Sequence, residues 1–353
     1  MPSNRARVLQ AGFLDGVGTG AVTTLMGVFV TQRWGLDTLG LVMASGLIGR
    51  GFTVLWGWYA QRTKTHTNRD HYVLTVSVMV LASLIVCAIL ENATTLQLCV
   101  GWAFFVGSNS VSTIQLTLRI MRDGSKLWGS SILGSGVSAL LVGVSYSSMG
   151  YKWSQSLAMI MCLVQALQLL LTRGISGSHQ DTTLDESATK SRAWWFYGFA
   201  LSFSMYGPVL MQAGLISRWH DPGWSGPAVL MYAAVPLCLK LQNRRTDARY
   251  TSGMVLLNAL STVLIPLNPV VAAVTRLPAA YSLFSLQNQT QLRAADVSGA
   301  SGVSSFMLGI MIGGLSGVWW FGYVTEKLGI VTACVMMAVT GVSYAMLVRS
   351  ERV

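Results

Sequence analysis

Long apolar blocks dominate this chain, and short polar clusters separate them. A helix needs roughly twenty apolar residues to cross the hydrocarbon core of a bilayer, and the blocks have that length. They predict helices at about Val8–Val30, Thr38–Ala60, Tyr72–Leu90, Thr95–Leu118, Leu127–Met149 and Trp153–Thr172. After a polar stretch, Arg173–Arg192, six more follow at Trp194–Ile216, Trp224–Leu241, Tyr250–Leu267, Val270–Gln291, Val303–Val324 and Ile330–Val348. The eighth is short and carries Pro227 and Pro236, and the ninth and tenth nearly merge at Pro266–Pro269.

The basic residues test this count independently. With the N-terminus inside, eighteen Lys and Arg fall in cytoplasmic segments and four (Arg33, Lys152, Arg218, Lys327) in outer loops. Cytoplasmic loops attract such an excess, and losing one span would scramble the alternation after it. The expected architecture is all-α and integral to the membrane, with about twelve transmembrane helices and both termini cytoplasmic. It divides into a six-helix bundle at 1–172, a cytoplasmic linker at 173–193 and a second, pseudo-symmetric bundle at 194–353. In a bacterium the inner membrane would hold it.

Composition agrees with lipid as the solvent. Hydrophobic residues make up 52% of the chain and charged residues only 10%, whereas soluble domains carry about a quarter charged. A net charge of +11 would suit nucleic acid, but these charges sit in the loops between apolar runs, where they set topology. No nucleic-acid partner is expected. The five Cys are scattered through apolar runs without a CxxC pair, and the four His lack metal spacing. No metal or other cofactor is expected.

Small residues recur every fourth position on three helices: Gly12, Gly16 and Gly20; Ser131, Ser135, Ala139 and Gly143; and Gly309, Gly313 and Gly317. Such ladders let helix backbones approach closely. The second and third occupy equivalent places, the fifth helix of each half.

Paired six-helix halves resemble the major facilitator superfamily across the whole chain. The superfamily signature after the second helix is GxxxDRxGRR. Here Gly57-Trp58-Tyr59-Ala60-Gln61-Arg62-Thr63-Lys64 keeps the Gly, the Arg and a basic tail, with Gln61 at the Asp position and Lys64 at the second Gly. Gly57 and Arg62 are the conformational-motif residues this likeness implies. Within the superfamily, Gly322-Tyr323-Val324-Thr325-Glu326-Lys327-Leu328-Gly329 and the fourth helix resemble the branch that exports siderophores and drugs. The resemblance also implies that helices 1, 4, 7 and 10 line a central cavity.

Three ionisable residues lie well inside spans: Asp15, Arg50 and Arg276. Charges at that depth are costly and usually face a cavity or one another. Asp15 lies about 10 Å inside the first helix and Arg50 about 15 Å inside the second, at 1.5 Å per residue, so the two can pair. That pair is either a proton-coupling carboxylate modulated by a cation or a structural salt bridge. Arg276 either attracts an anionic solute or snorkels to the outer interface. Polar stripes at helical spacing mark the fourth and tenth helices: Ser108, Ser112 and Gln115 with Asn109 beside them on one, and Ser282, Ser285 and Gln289 with Asn288 beside them on the other; Tyr206 adds to them from the seventh. They either line a solute site or stitch helices together.

These features point to a secondary transporter of a small solute, coupled to protons and acting as a monomer in the bilayer, with export of a drug-like or siderophore-like metabolite favoured. Uptake of a polar or anionic metabolite, with Arg50 and Arg276 as anion contacts, is the alternative within transport. A membrane-embedded enzyme would need clustered His, Asp or Glu at an interface, which the sequence lacks, and a channel or non-transporting scaffold is the remaining alternative. No GxxxxGK[ST] loop for ATP is present.

Overall fold

In the computed structural model, the described residues are 3–63, 69–120, 124–175, 194–240 and 248–350. Beyond Ile175 the expected linker lies outside them, and of the motif residues Gly57 and Arg62 only the backbone is described. The described residues form helices without strands. The first half comprises α1 (Asn4–Trp34), α2 (Leu36–Thr63), α3 (Arg69–Ile89), α4 (Thr95–Ile120), α5 (Gly124–Met149), α6 (Tyr151–Gln165) and α7 (Gln168–Leu171). The second half comprises α8 (Trp194–Leu210), α9 (Gln212–Trp219), α10 (Ser225–Met231), α11 (Val235–Lys240), α12 (Ala248–Val263), α13 (Pro269–Val274), α14 (Arg276–Leu328) and α15 (Ile330–Ser350).

Among the described residues, six stretches are long and apolar enough to cross a membrane, and the pair α8 and α9, bent by 49° at its break, makes a seventh. Leucines such as Leu74, Leu81, Leu96 and Leu260 stand exposed along these helices, which suits a lipid solvent. The chain is an integral, multi-pass membrane protein.

Several helices depart from the uninterrupted spans expected, for local reasons. Pro208 sits in the last turn of α8, where it removes a backbone donor, and the chain bends just beyond it at Met211. Pro236 in the first turn of α11 follows a tight turn at Tyr232–Ala234. Asn268 caps α13 by accepting from the Val270 amide at 2.8 Å, with Pro269 in the first turn.

The largest departure concerns the tenth and eleventh spans, which were expected to be separated by a loop. Helical turns instead continue from Arg276 to Leu328 as α14, yet α14 cannot be straight. Gln287 and Gly314 would lie about 40 Å apart on a straight helix. Both meet one side chain: Tyr206 donates to Gln287 Oε1 at 2.9 Å, and a Cβ on Gly314 would fall 3.2 Å from the Tyr206 ring. The helix therefore folds back as two arms, Pro269–Ala294 (with α13) and Gly302–Leu328, each long enough to span a bilayer.

The small-residue ladders do the same work in both halves. A Cβ on Gly16 or Gly20 would lie 1.8 or 2.3 Å from the carbonyl oxygens of Ser131 and Ser135 in α5. In the second half, Gly309, Gly313 and Gly317 approach the carbonyls of Trp195, Phe199 and Phe203 in α8 to 1.8, 2.2 and 2.4 Å by the same measure. In each case residue numbers rise together along the two helices, so the pairs are parallel. The first and fifth helices of each half thus pack backbone to backbone.

At one end of the bundle, single glycines join α1 to α2, α5 to α6 and α14 to α15. Gly35, Gly150 and Gly329 have φ of 90°, 83° and 88° with near-extended ψ, a region essentially restricted to glycine.

Candidate functional site

Helix α1 is buried through 78% of its apolar window, so a polar side chain on it must find partners within the protein. Asp15 is 2% exposed. Asn109 of α4 points its amide nitrogen at both carboxylate oxygens, at 3.4 and 3.3 Å, and donates to the Thr19 hydroxyl at 2.9 Å. Gln165 of α6 donates to the Asp15 carbonyl at 2.9 Å and to its carboxylate at 3.3 Å. Thr113 approaches at 3.5 Å. Gly18 makes this possible, because a Cβ there would lie 2.2 Å from Gln165 Oε1. Gln168 faces the carboxylate as well, and its Oε1 accepts from Tyr72 at 2.8 Å and from Ser112 at 3.5 Å. The shell around Asp15 is therefore neutral: amides and a hydroxyl, with no cationic side chain among the described residues.

Arg50 does not enter that shell. It lies on the wall of a cavity of about 130 Å³ between the halves, shared with Thr19, Thr23, Trp102, Asn109 and Ser110 of the first half and Leu210 of the second. Asn109 and Thr19 belong to both places. The carboxylate and the cavity are therefore adjacent, with the Asn109 amide between them. Tyr206 lies within electrostatic reach of Arg50, and its bond to Gln287 ties α8 to α14.

The other candidates lie elsewhere. Arg276 is fully buried, so it does not snorkel, and it is not on the cavity wall. Its Nη2 donates to the Ser261 carbonyl at 2.8 Å and its Nη1 to the Pro208 carbonyl at 3.4 Å. Both acceptors sit in the last turns of α12 and α8, where carbonyls lack intrahelical partners and the helix dipole favours a cation. Ser285 bonds Tyr250 of α12 at 2.6 Å. Ser112, Gln115 and Gln289 are buried and Asn288 is exposed. Of the proposed solute contacts on these helices, Asn109 borders this cavity and Ser112, Gln115, Ser285, Asn288 and Gln289 do not.

Gln165 and Gln168 escaped the sequence reading, although these two glutamines, three residues apart, are the only polar interruptions of the run from Leu157 to Leu171. That spacing was the available signal.

No protein-family model matches the chain, and no curated protein matches it. Solved structures do. A point mutant of the nucleoside transporter NupG superposes with a TM-score of 0.74 at 12% identity, over 99% of both chains. The peptide transporter PepTSo of the POT family gives 0.70 at 8% identity, over 99% of this chain and 97% of that one. The inward-open xylose transporter XylE from E. coli gives 0.70 at 13% identity, over 97% and 94%. The fold is the major facilitator fold that the sequence resembled, and at such identities the likeness carries the fold alone.

Proposed function

We propose that this chain is a secondary transporter that carries a small solute by alternating access. One observation supports this most: a buried carboxylate, Asp15, meets Asn109, which also borders a cavity walled by α1, α2 and α4 and by Leu210 of the second half. The fold shared with nucleoside, peptide and xylose transporters agrees with it. In this reading twelve spans place both termini in the cytoplasm, 1–172 and 194–353 are the rocking bundles, and 173–193 links them. Among the described residues the Asp15 shell holds no cation, so a proton is what neutralises the carboxylate, and Asn109 reports solute occupancy to it. Export of a drug-like or siderophore-like metabolite is the direction implied by the sequence resemblance. Arg50 on the cavity wall favours the second reading, uptake of a polar or anionic metabolite. Cells with and without the protein, given a metabolite panel at two external pH values, should differ in accumulation of at least one solute, and the difference should change with pH. Equal accumulation across the panel at both pH values would contradict the proposal.

The same topology puts Gly35, Gly150 and Gly329 outside, where the halves are held together. Glu326 accepts from the Leu36 amide, at the start of α2, at 3.0 Å and pairs with Arg218 at 3.0 Å. Asp221 accepts from the Ser147 hydroxyl at 2.6 Å. Gly40 lies against the backbone of Val318 and Gly322, and Gly143 against the carbonyl of Pro222. Glu326 thus caps a helix of the opposite half, which closes the outer entrance. Losing a cap costs about 1 kcal/mol, or roughly fivefold in a two-state population. Glu326→Ala should therefore speed labelling of a Thr23→Cys cavity probe by an impermeant thiol reagent about fivefold, in intact cells and a background without the native cysteines. An unchanged rate would remove Glu326 from the seal.

A further inference from the structure

Protonation changes what a carboxylate needs from its neighbours. The ionised group only accepts hydrogen bonds, whereas the protonated one carries an O–H that must find an acceptor. Asp15 is buried, so that acceptor lies within its shell. Asn109 offers its amide nitrogen to both carboxylate oxygens, and Gln165 offers its own to Oδ1. These are donors. Thr113, 3.5 Å from Oδ2, can also donate to the Asn109 carbonyl at 3.0 Å. Two side-chain atoms in the shell are fully buried and unpartnered among the described residues, Gln165 Oε1 and Gln168 Nε2. The second is another donor. The first is an acceptor.

One orientation of the Gln165 amide fits its surroundings. Its Nε2 donates to the Asp15 carbonyl at 2.9 Å, and a flipped amide would set oxygen against oxygen there. Oε1 therefore points onto Gly18, where an added Cβ would fall 2.2 Å from it. Glycine at position 18 is what leaves room for an acceptor. A buried acceptor without a donor is costly, and a second state of the site that supplies one removes the cost.

We infer that Gln165 Oε1 accepts the hydrogen bond of the protonated Asp15 carboxyl, one amide thereby serving both forms of the proton site. The inference rests on the reading of Asp15 as the residue that takes the proton. In the ionised form Gln165 Nε2 donates to Oδ1. In the protonated form the carboxyl turns about its broad terminal torsion and meets the amide by two bonds. Nε2 donates to the carboxyl's C=O oxygen, and the new O–H donates to Oε1. The other hydrogen on Nε2 stays on the Asp15 carbonyl. That turn draws the carboxyl away from Asn109, which lies on the cavity wall, so the protonation state is felt there. Gln165 is a positioning residue, because an amide holds the proton on Asp15 without taking it. Among the described residues α4, α6 and α7 present neutral side chains to Asp15, and α5 packs its backbone on Gly16. Titratable or charged groups stand one residue removed: Tyr72 of α3 behind Gln168, and Arg50 of α2 across Asn109.

The test needs no knowledge of the native solute. Infrared difference spectra of the purified full-length protein, taken between alkaline and acid buffer, isolate carboxyls that gain a proton. The band lost in Asp15→Asn belongs to Asp15. A carboxyl bonded to an amide has a lowered C=O frequency. In Gln165→Leu the Asp15 band should therefore rise toward the frequency of an unbonded carboxyl. It should rise as well in Gly18→Ala, whose Cβ would displace only the Gln165 side chain. In vesicles, Gln165→Leu should lower solute-driven proton flux at least tenfold and solute exchange less than twofold. An unmoved band in Gln165→Leu would overturn the inference, and an equal fall in flux and exchange would mark Gln165 as merely structural. A rise in Thr113→Val but not in Gln165→Leu would give the acceptor role to Thr113 instead. Where Gln165→Leu does not fold, the band in Gly18→Ala decides the matter alone. Absence of an Asp15 band at every pH would refute the proton reading and this inference with it. A band that rises as expected in a protein that moves no solute would refute transport and leave the acceptor assigned.

Discussion

A leucine in place of Gly16 will leave little or no folded protein in the membrane. Even its Cβ would fall 1.8 Å from the Ser131 carbonyl oxygen and 2.7 Å from the carbonyl carbon, and a backbone cannot rotate away as a side chain tip can. Overpacking a core ordinarily costs 1–3 kcal/mol. Here α1 and α5 would have to separate along a ladder that also includes Gly20 against Ser135 and Gly134 against the Phe13 carbonyl. Native stabilities are only about 5–15 kcal/mol, so parting these helices consumes much of the margin. Gly309→Leu, at 1.8 Å from the Trp195 carbonyl oxygen, should do the same to the second half. The control is Gly253→Leu in α12, where nothing lies within 4 Å of an added Cβ. The yield of monodisperse protein from detergent extracts should collapse for the first two variants and hold for the third. Wild-type yield from Gly16→Leu would mean that α1 and α5 do not pack this way.

The second large effect is functional. Asp15→Asn keeps the shape of the side chain and removes its titration. Its new amide would face the amide donors of Asn109 and Gln165, which costs on the order of 1–3 kcal/mol for an unmet polar group, enough to lower stability without abolishing the fold. Normal delivery to the membrane is expected, with pH-driven accumulation or efflux reduced at least tenfold and exchange of solute retained. An unaltered pH dependence of transport would show that Asp15 is not where the proton binds. Failure to fold would assign the residue a structural role, which substitution of Gln165 should then reproduce.

Much of this was legible in the sequence, and the omissions have physical causes. The apolar blocks located the helices because hydrocarbon tolerates few alternatives. The ladders at Gly12–Gly20 and Gly309–Gly317 were visible for the same reason that they matter: every fourth residue lies on one face. Depth along a helix, however, is not direction around it. Asp15 and Arg50 were matched by height, but Asn109 stands between the carboxylate and the cavity wall. Residues 292–302 fell between two expected spans, yet they contain no proline, and helical turns continue through them even as the chain folds back. Arg276 was judged from distance to the outer interface. What holds it are carbonyls exposed where α8 and α12 end, and no residue type in the sequence marks those.

Reconstituting the purified protein in sealed vesicles with an entrapped pH-sensitive dye tests proton-coupled transport most directly. A solute identified in the cell panel, added outside at equal pH on both sides, should drive a proton flux through vesicles containing the protein. Protein-free vesicles and those bearing Asp15→Asn should show none. Solute movement without proton movement would contradict the coupling, and no movement of either in the wild-type vesicles would contradict transport itself.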